Sequence, residues 1–142
     1  MEPATVEVEL ADTSAWANKG KPGLEWFAPA LEEGRIAVCD QVVMELLWSA
    51  VDLADFRAME TALLACPWLR VEPDDWDEAR RVFRELAGRG LLHHRQVRAP
   101  DLLIAAVAAR IGLAVVHYDS DYDIIASVTG QPTRWAAPRG SL

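Results

Sequence analysis

Apolar and polar positions along the 142 residues of this chain alternate between two periods, and each change marks an element. Val6, Val8 and Leu10 alternate with Glu7 and Glu9, which is strand periodicity, and the run stops at Asp12-Thr13-Ser14. A helical segment follows from Ala15 to about Glu33, broken or bent at Lys19-Gly20-Lys21-Pro22-Gly23. Ile36-Ala37-Val38-Cys39 reads as a short strand, and Asp40 stands where the N-cap of a helix from Gln41 to Ala50 belongs. A second helix, Val51 to Ala65, ends at Cys66-Pro67 and precedes a short strand, Trp68 to Val71. Pro73-Asp74-Asp75 opens a helix running to about Ala87, its acids placed where the helix dipole favours them, and Gly88-Arg89-Gly90 ends it. A polar loop, His93 to Ala99, leads through Pro100-Asp101 into a helix from Leu102 to Arg110, closed by Gly112. Leu113 to His117 is a strand, Asp121 to Val128 a short helix, and Thr133-Arg134-Trp135 an edge strand.

Strands alternating with helices predict an α/β domain with a mostly parallel sheet covered on both faces. No repeat or linker divides the chain, so residues 1–142 read as one domain. The first strand departs from this pattern. A buried parallel strand is apolar throughout, whereas Glu7 and Glu9 interrupt this one, which implies an edge position, an unusual start or a different boundary.

Charge narrows the function. Lys and Arg number 14 against 22 Asp and Glu, a formal net charge of −8, so loose electrostatic binding to phosphates is disfavoured unless the acids are specially arranged. Cys39 and Cys66 form no CxxC pair and read as reduced thiols. Met1-Glu2-Pro3-Ala4-Thr5 lacks the basic and apolar regions of a secretion signal, and the apolar run Leu102 to Ala109 is too short to span a membrane. The expectation is a soluble cytoplasmic protein.

The placement of the acids carries the chemistry. Asp12, Asp40 and Asp119 end apolar strands, and in open parallel sheets ligands bind beyond the carboxyl ends of strands, where strand order reverses. Each is equally placed to cap the next helix, and capping is the reading for Asp40. Asp101 opens a helix that is apolar nearly all round, so it serves either as a dipole-complementing acid or as a carboxylate at the rim of the core. On a helical wheel Gln41, Glu45 and Ser49 form a narrow polar stripe, which faces either water or a cleft shared with the strand ends. Gathered carboxylates repel one another unless a cation sits among them or a proton is shared. Oxygen ligands select Mg²⁺ or Mn²⁺, and no His/Cys cluster suggests zinc.

Four segments together resemble a family. They are Leu10-Ala11-Asp12-Thr13-Ser14-Ala15-Trp16, Val42-Val43-Met44-Glu45-Leu46-Leu47, Pro100-Asp101-Leu102-Leu103-Ile104-Ala105-Ala106 and Val116-His117-Tyr118-Asp119-Ser120-Asp121-Tyr122-Asp123-Ile124-Ile125. In order and spacing they look like the motifs of PIN-domain ribonucleases, and within these the VapC toxins of bacterial toxin–antitoxin (VapBC) pairs. The resemblance implies a PIN-like three-layer α/β/α domain and a metal-dependent endoribonuclease leaving 5′-phosphate and 3′-hydroxyl ends. Asp12, Glu45, Asp101 and Asp119 match the family's catalytic acids, and Asp12, Asp101, Asp119 and Asp121 are the implied ligands of Mg²⁺ or Mn²⁺. Such an ion lowers the pKa of a bound water, and a carboxylate takes the proton. Thr13 and Ser14 match hydroxyl positions that support the site by hydrogen bonding. The implied partners are an RNA substrate, a VapB-like antitoxin and a second copy of the chain.

Two further features bear on partners. Arg80, Arg81, Arg84, Arg89, Arg95 and Arg98 lie within nineteen residues that hold one acid, Glu85, a local excess of five positive charges. This is either a solvated helix face or an RNA-backbone surface, with Arg95 and Arg98 nearest Asp101. His93 and His94 read as solvent-exposed. Of six tryptophans, Trp16, Trp26 and Trp48 lie where the resemblance puts the antitoxin groove and dimer contacts, with core packing as their default role. Two other readings remain open here: a non-catalytic α/β binding module whose acids cap helices, and an aspartyl-nucleophile phosphatase, for which Ser14 stands where a second acid is wanted.

Overall fold

A computed structural model describes residues 7–142, so Val6 and the segment Met1 to Thr5 lie outside the described residues. Five parallel strands are present: β1 (Glu9–Ala11), β2 (Ile36–Cys39), β3 (Trp68–Leu69), β4 (Val115–His117) and β5 (Thr133–Trp135). Their order is β3-β2-β1-β4-β5, with Leu10 opposite both Ala37 and Val115. The helices are α1 (Thr13–Ala17), α2 (Phe27–Glu32), α3 (Asp40–Trp48), α4 (Leu53–Leu64), α5 (Pro73–Gly88), α6 (Ala99–Ile111) and α7 (Asp121–Thr129). They complete the expected three-layer α/β/α arrangement.

The puzzle of the first strand resolves through its boundary. β1 is the central strand, and it starts at Glu9 instead of Val6, so Leu10 and Ala11 are both fully buried, as a strand covered on both faces requires. Glu9 reaches across the sheet to β5, where Arg134 donates two hydrogen bonds of 2.8 Å to its carboxylate and also stacks 4.3 Å over Trp26. Ile36 to Cys39 is buried at every position, matching its apolar run. Leu10, Phe27, Ile36, Val38, Val42, Leu86, Ile104 and Ile125 form much of the core.

Asp40 does not cap a helix. It is the first residue of α3, and its carboxylate accepts from Trp68 Nε1 (2.9 Å) and Val71 N (2.7 Å) and pairs with Arg70 (3.1 Å). These bonds tie the end of β2 to β3, which outcompetes local capping. Asp12, by contrast, does cap α1, and Asp52 caps α4. Gly112 closes α6 in a left-handed turn (φ 84°), after which Leu113 N returns a bond to Ala108.

One buried charge braces the helical layer. Asp75, 1% exposed, completes a capping box by accepting from Glu72 N (2.8 Å), and Arg110 of α6 donates to it at 2.8 and 3.1 Å. Removing Asp75 leaves Glu72 N without its cap and breaks both bonds from Arg110. Asp75→Ala is therefore expected to lower unfolding free energy by about 3 kcal/mol in chemical denaturation, against less than about 0.5 kcal/mol for exposed Asp74→Ala. Equal effects would refute the brace.

Candidate active site

β2 and β3 lie to one side of β1 and β4 and β5 to the other, so strand order reverses between β1 and β4. The carboxyl ends of these two strands are where such sheets bind ligands. Asp12 directly follows β1, and Asp119 lies two residues beyond β4. Asp101 arrives from the first turn of α6, whose residues Asp101 to Ala108 are all buried, and Asp121 from the first turn of α7.

The loop chemistry locks these acids in place. Ser14 Oγ donates to both oxygens of Asp12 (2.7 and 2.9 Å) and accepts from Tyr118 N (2.8 Å), stitching the end of β1 to that of β4. Ala15 N adds a capping bond to Asp12 of 3.0 Å. Asp119 Oδ1 accepts from Asp121 N (2.9 Å), Asp121 Oδ2 accepts from Arg98 N (3.0 Å), and Asp101 Oδ1 accepts from Tyr122 Oη (3.2 Å). Among the described residues, the other oxygen of each of these three acids has no hydrogen-bond donor, and Asp101 Oδ2 is buried in that condition.

Asp101, Asp119 and Asp121 each bring an oxygen within 4.8 Å of the others, the arrangement of a metal-holding group. Asp12 stands just outside this trio, close enough for its charge to act on Tyr122 and Asp101. Burial pushes Asp12 up to about 6, against which its hydrogen bonds from Ser14 and Ala15 pull downward. Asp101 is raised too, first by burial, then by Asp121, Asp119 and Asp12 around it, and Asp119 is raised by burial and by Asp121. An orphaned buried oxygen among mutually repelling carboxylates is a donor set that fits a hard divalent cation.

Glu45 is not part of the trio. It accepts from Gln41 Nε2 (3.2 Å), and Arg98, whose backbone N–H bonds Asp121, reaches it at 3.7 Å. The stripe it belongs to lines a groove of about 350 Å³ with Thr13, Trp16, Leu46, Met59 and Leu63. Thr13 lines this groove, and among the described residues its buried hydroxyl has no partner, whereas that of Ser14 bonds Asp12. The arginine-rich stretch is less positive than its sequence suggests. Arg80 pairs with Asp77 (3.2 Å) and Arg81 with Glu78 (2.6 Å) and Glu85 (2.7 Å) along α5, while Arg89 bonds Ser127. Arg95 and Arg98 remain exposed. His93 and His94 are half-buried, correcting the expectation of exposure, and His94 packs edge-on against Phe83 at 5.4 Å.

Two residues that the motifs passed over sit at the centre. Tyr122 and His117 are fully buried, their rings 4.8 Å apart, and His117 Nδ1 accepts from Asp119 N at 3.1 Å. Burial pushes the Tyr122 hydroxyl well above its ordinary range, so it stays a donor. Tyr122 and Ile125 share the covered face of α7, a spacing visible in the sequence.

A family model described as PIN domain matches residues 10–128. The chain belongs to the PIN-domain family. The chain is 43% identical to Ribonuclease VapC18 of Mycobacterium tuberculosis over 137 residues, covering 95% of this chain and 99% of that protein. It is 34% identical to Ribonuclease VapC51 of the same organism over 134 residues, covering 94% and 96%. Among solved structures, DNA-bound VapBC from Salmonella typhimurium superimposes with a TM-score of 0.73 at 20% identity, over 92% of this chain and 99% of that one, a likeness of fold.

The raised acids make a pH signature. Asp12 and Asp101 bind protons more tightly folded than unfolded, so the stability they lend is present at low pH and lost as pH rises through about 6 and beyond. His117, pushed down to about 4 by burial, has the opposite sign, and its contribution is complete once pH passes its ordinary 6.5. Above that value the acids dominate. Without added cation, the melting temperature is expected to fall by roughly 3–6 °C between pH 6.5 and 8, and Mg²⁺ to raise it more at pH 8. A flat profile with no Mg²⁺ effect would contradict this account.

Proposed function

We propose that this chain is a divalent-metal-dependent endoribonuclease and the toxin of a toxin–antitoxin pair, with residues 1–142 forming one PIN-like domain. The observation carrying the reading is the trio of Asp101, Asp119 and Asp121, each with one oxygen anchored and the other available. Its sequence relatives are named ribonucleases along nearly their whole length. Asp12, Asp101, Asp119 and Asp121 would hold the ion, with Mg²⁺ or Mn²⁺ the choice of an all-oxygen set. When bound, the ion supplies positive charge against the scissile phosphate and makes water a stronger acid.

The chain's own groups do the rest. Asp119 and Glu45 would be the carboxylates that take the proton of the attacking water. Ser14 keeps Asp12 aligned from the β4 side, and Asp121 is held by Arg98 N, so the acids need not reorganise during hydrolysis. Arg98, whose backbone bonds Asp121, and Arg95 on the loop before it, both exposed, would contact the RNA backbone. An aspartyl nucleophile finds no support, since both oxygens of Asp12 are engaged by Ser14.

A protein partner is supported by the surface. Met44, Trp48, Val51 and Leu53 are 68%, 86%, 85% and 62% exposed around the turn from α3 to α4, beside the groove. Such apolar exposure marks an interaction face. The solved neighbours are VapBC complexes, and a VapB-like antitoxin and a second copy of the chain are the proposed occupants. Of the three early tryptophans, Trp48 is the exposed one. Trp16 is buried, and Trp26 donates to Ala136 O (2.9 Å). No helix among the described residues is long and apolar enough to cross a membrane, and the cytoplasm is the proposed location.

Purified protein should cut RNA with Mg²⁺ or Mn²⁺ and not with EDTA. Asp101→Asn is expected to lower the rate at least about 100-fold, since it removes a charge that holds the ion. Undiminished cleavage by both Asp12→Asn and Asp101→Asn would sink the reading.

A further inference from the structure

Tyr122 differs from every other donor to the acids in being a fully buried side chain from the covered face of a helix. Its hydroxyl donates to Asp101 Oδ1 at 3.2 Å, and Asp101 Oδ2, also buried, is left with no partner among the described residues. The ring has little freedom. His117 packs on it with centroids 4.8 Å apart, and Trp135 packs on His117 at 5.0 Å.

We propose that Tyr122 is a positioning residue of the nuclease site, whose hydroxyl holds Asp101 Oδ1 so that Oδ2 is the oxygen presented to the cation. The proposal rests on the metal-nuclease reading above. A carboxylate's terminal torsion is soft and roughly two-fold, so an unrestrained Asp101 could swap or turn its oxygens. A neutral hydroxyl restrains it without cancelling its charge, which an arginine in the same place would do. Asp12 lies near this hydroxyl as well. Through its His117 neighbour, whose Nδ1 accepts from Asp119 N at 3.1 Å, the same buried block reaches a third. Outer-shell donors of this kind orient metal ligands.

Tyr122→Phe keeps the ring against His117 and removes one oxygen. Calorimetric titration with Mn²⁺ is expected to show the Kd rising about 10- to 100-fold, with half-maximal RNA cleavage requiring proportionally more Mn²⁺. KM for RNA should stay within about two-fold, because Tyr122 is buried and out of the substrate's reach. A hydroxyl that serves only the fold would, on removal, lower the melting temperature and leave the Mn²⁺ Kd unchanged, and that result overturns the proposal. Absence of Mn²⁺ binding by the unaltered chain would instead overturn the metal reading, and this proposal with it. Should the phenylalanine variant fail to fold, ¹⁹F NMR of protein carrying 3-fluorotyrosine answers the same question. The chain has two tyrosines, Tyr118 and Tyr122, and Tyr118→Phe assigns the signals. Mg²⁺ should shift the Tyr122 resonance, and a resonance unmoved at saturating Mg²⁺ also overturns the proposal.

Discussion

Buried carboxylates repel one another, and this fold holds them at the point where its strand order reverses. Asp12 and Asp101 are each at least nine-tenths buried, with Asp121 beside them, and burial raises the first two above the usual carboxylate range. What anchors them matters more than how many there are. Ala15 N, Asp121 N, Arg98 N, Ser14 Oγ and Tyr122 Oη are all neutral donors, which fix orientation and leave the negative charge intact. Acids elsewhere in the molecule are treated differently. Asp75 meets Arg110, Asp40 meets Arg70, and Glu9 meets Arg134. In these three a guanidinium offsets the charge, whereas the neutral donors at the strand ends leave the charge of their acids in place.

The sheet makes this arrangement affordable in structural terms by bringing each acid from a rigid element. Asp12 caps α1 with the same carboxylate that faces the site, and Asp101 rides on α6, a helix buried along two turns. Pro100 fixes the entry to that helix, whose missing N–H costs nothing in a first turn. Local rules of helix initiation thus set the positions of the acids.

Much of this was legible in the residues. Strand β2, helix α5 and strand β5 follow directly from apolar runs, punctuation by Pro and Gly, and acids in a first turn. The first strand misled because its alternation, Val8 against Glu7 and Glu9, lies at the mouth of the sheet, while the buried segment is only Leu10 and Ala11 beyond it. Asp40 misled for a different reason. Its position before a helix suggests a cap, but the donors that claimed it, Trp68 and Val71, come from about thirty residues downstream. The arginines misled because their partners Asp77 and Glu78 lie one turn earlier on the same helix. Tyr122 and His117 escaped notice since neither residue type signals a metal site alone, and only tertiary packing sets their hydroxyl and ring nitrogen against the acids.

The formal charge of −8 therefore says little about RNA by itself. A phosphate approaching the acids without a cation meets several negative groups, and the exposed positive charge that contacts them is that of Arg98. Arg98 is divided between the two roles: its backbone N–H orients Asp121 while its guanidinium lies 3.7 Å from Glu45. Arg98 thereby links the trio to Glu45 electrostatically, although among the described residues no hydrogen bond joins Glu45 to the other acids. Its helix carries the exposed Met44 and Trp48 on the adjoining face, so a protein seated there would lie within a helical turn of the chemistry.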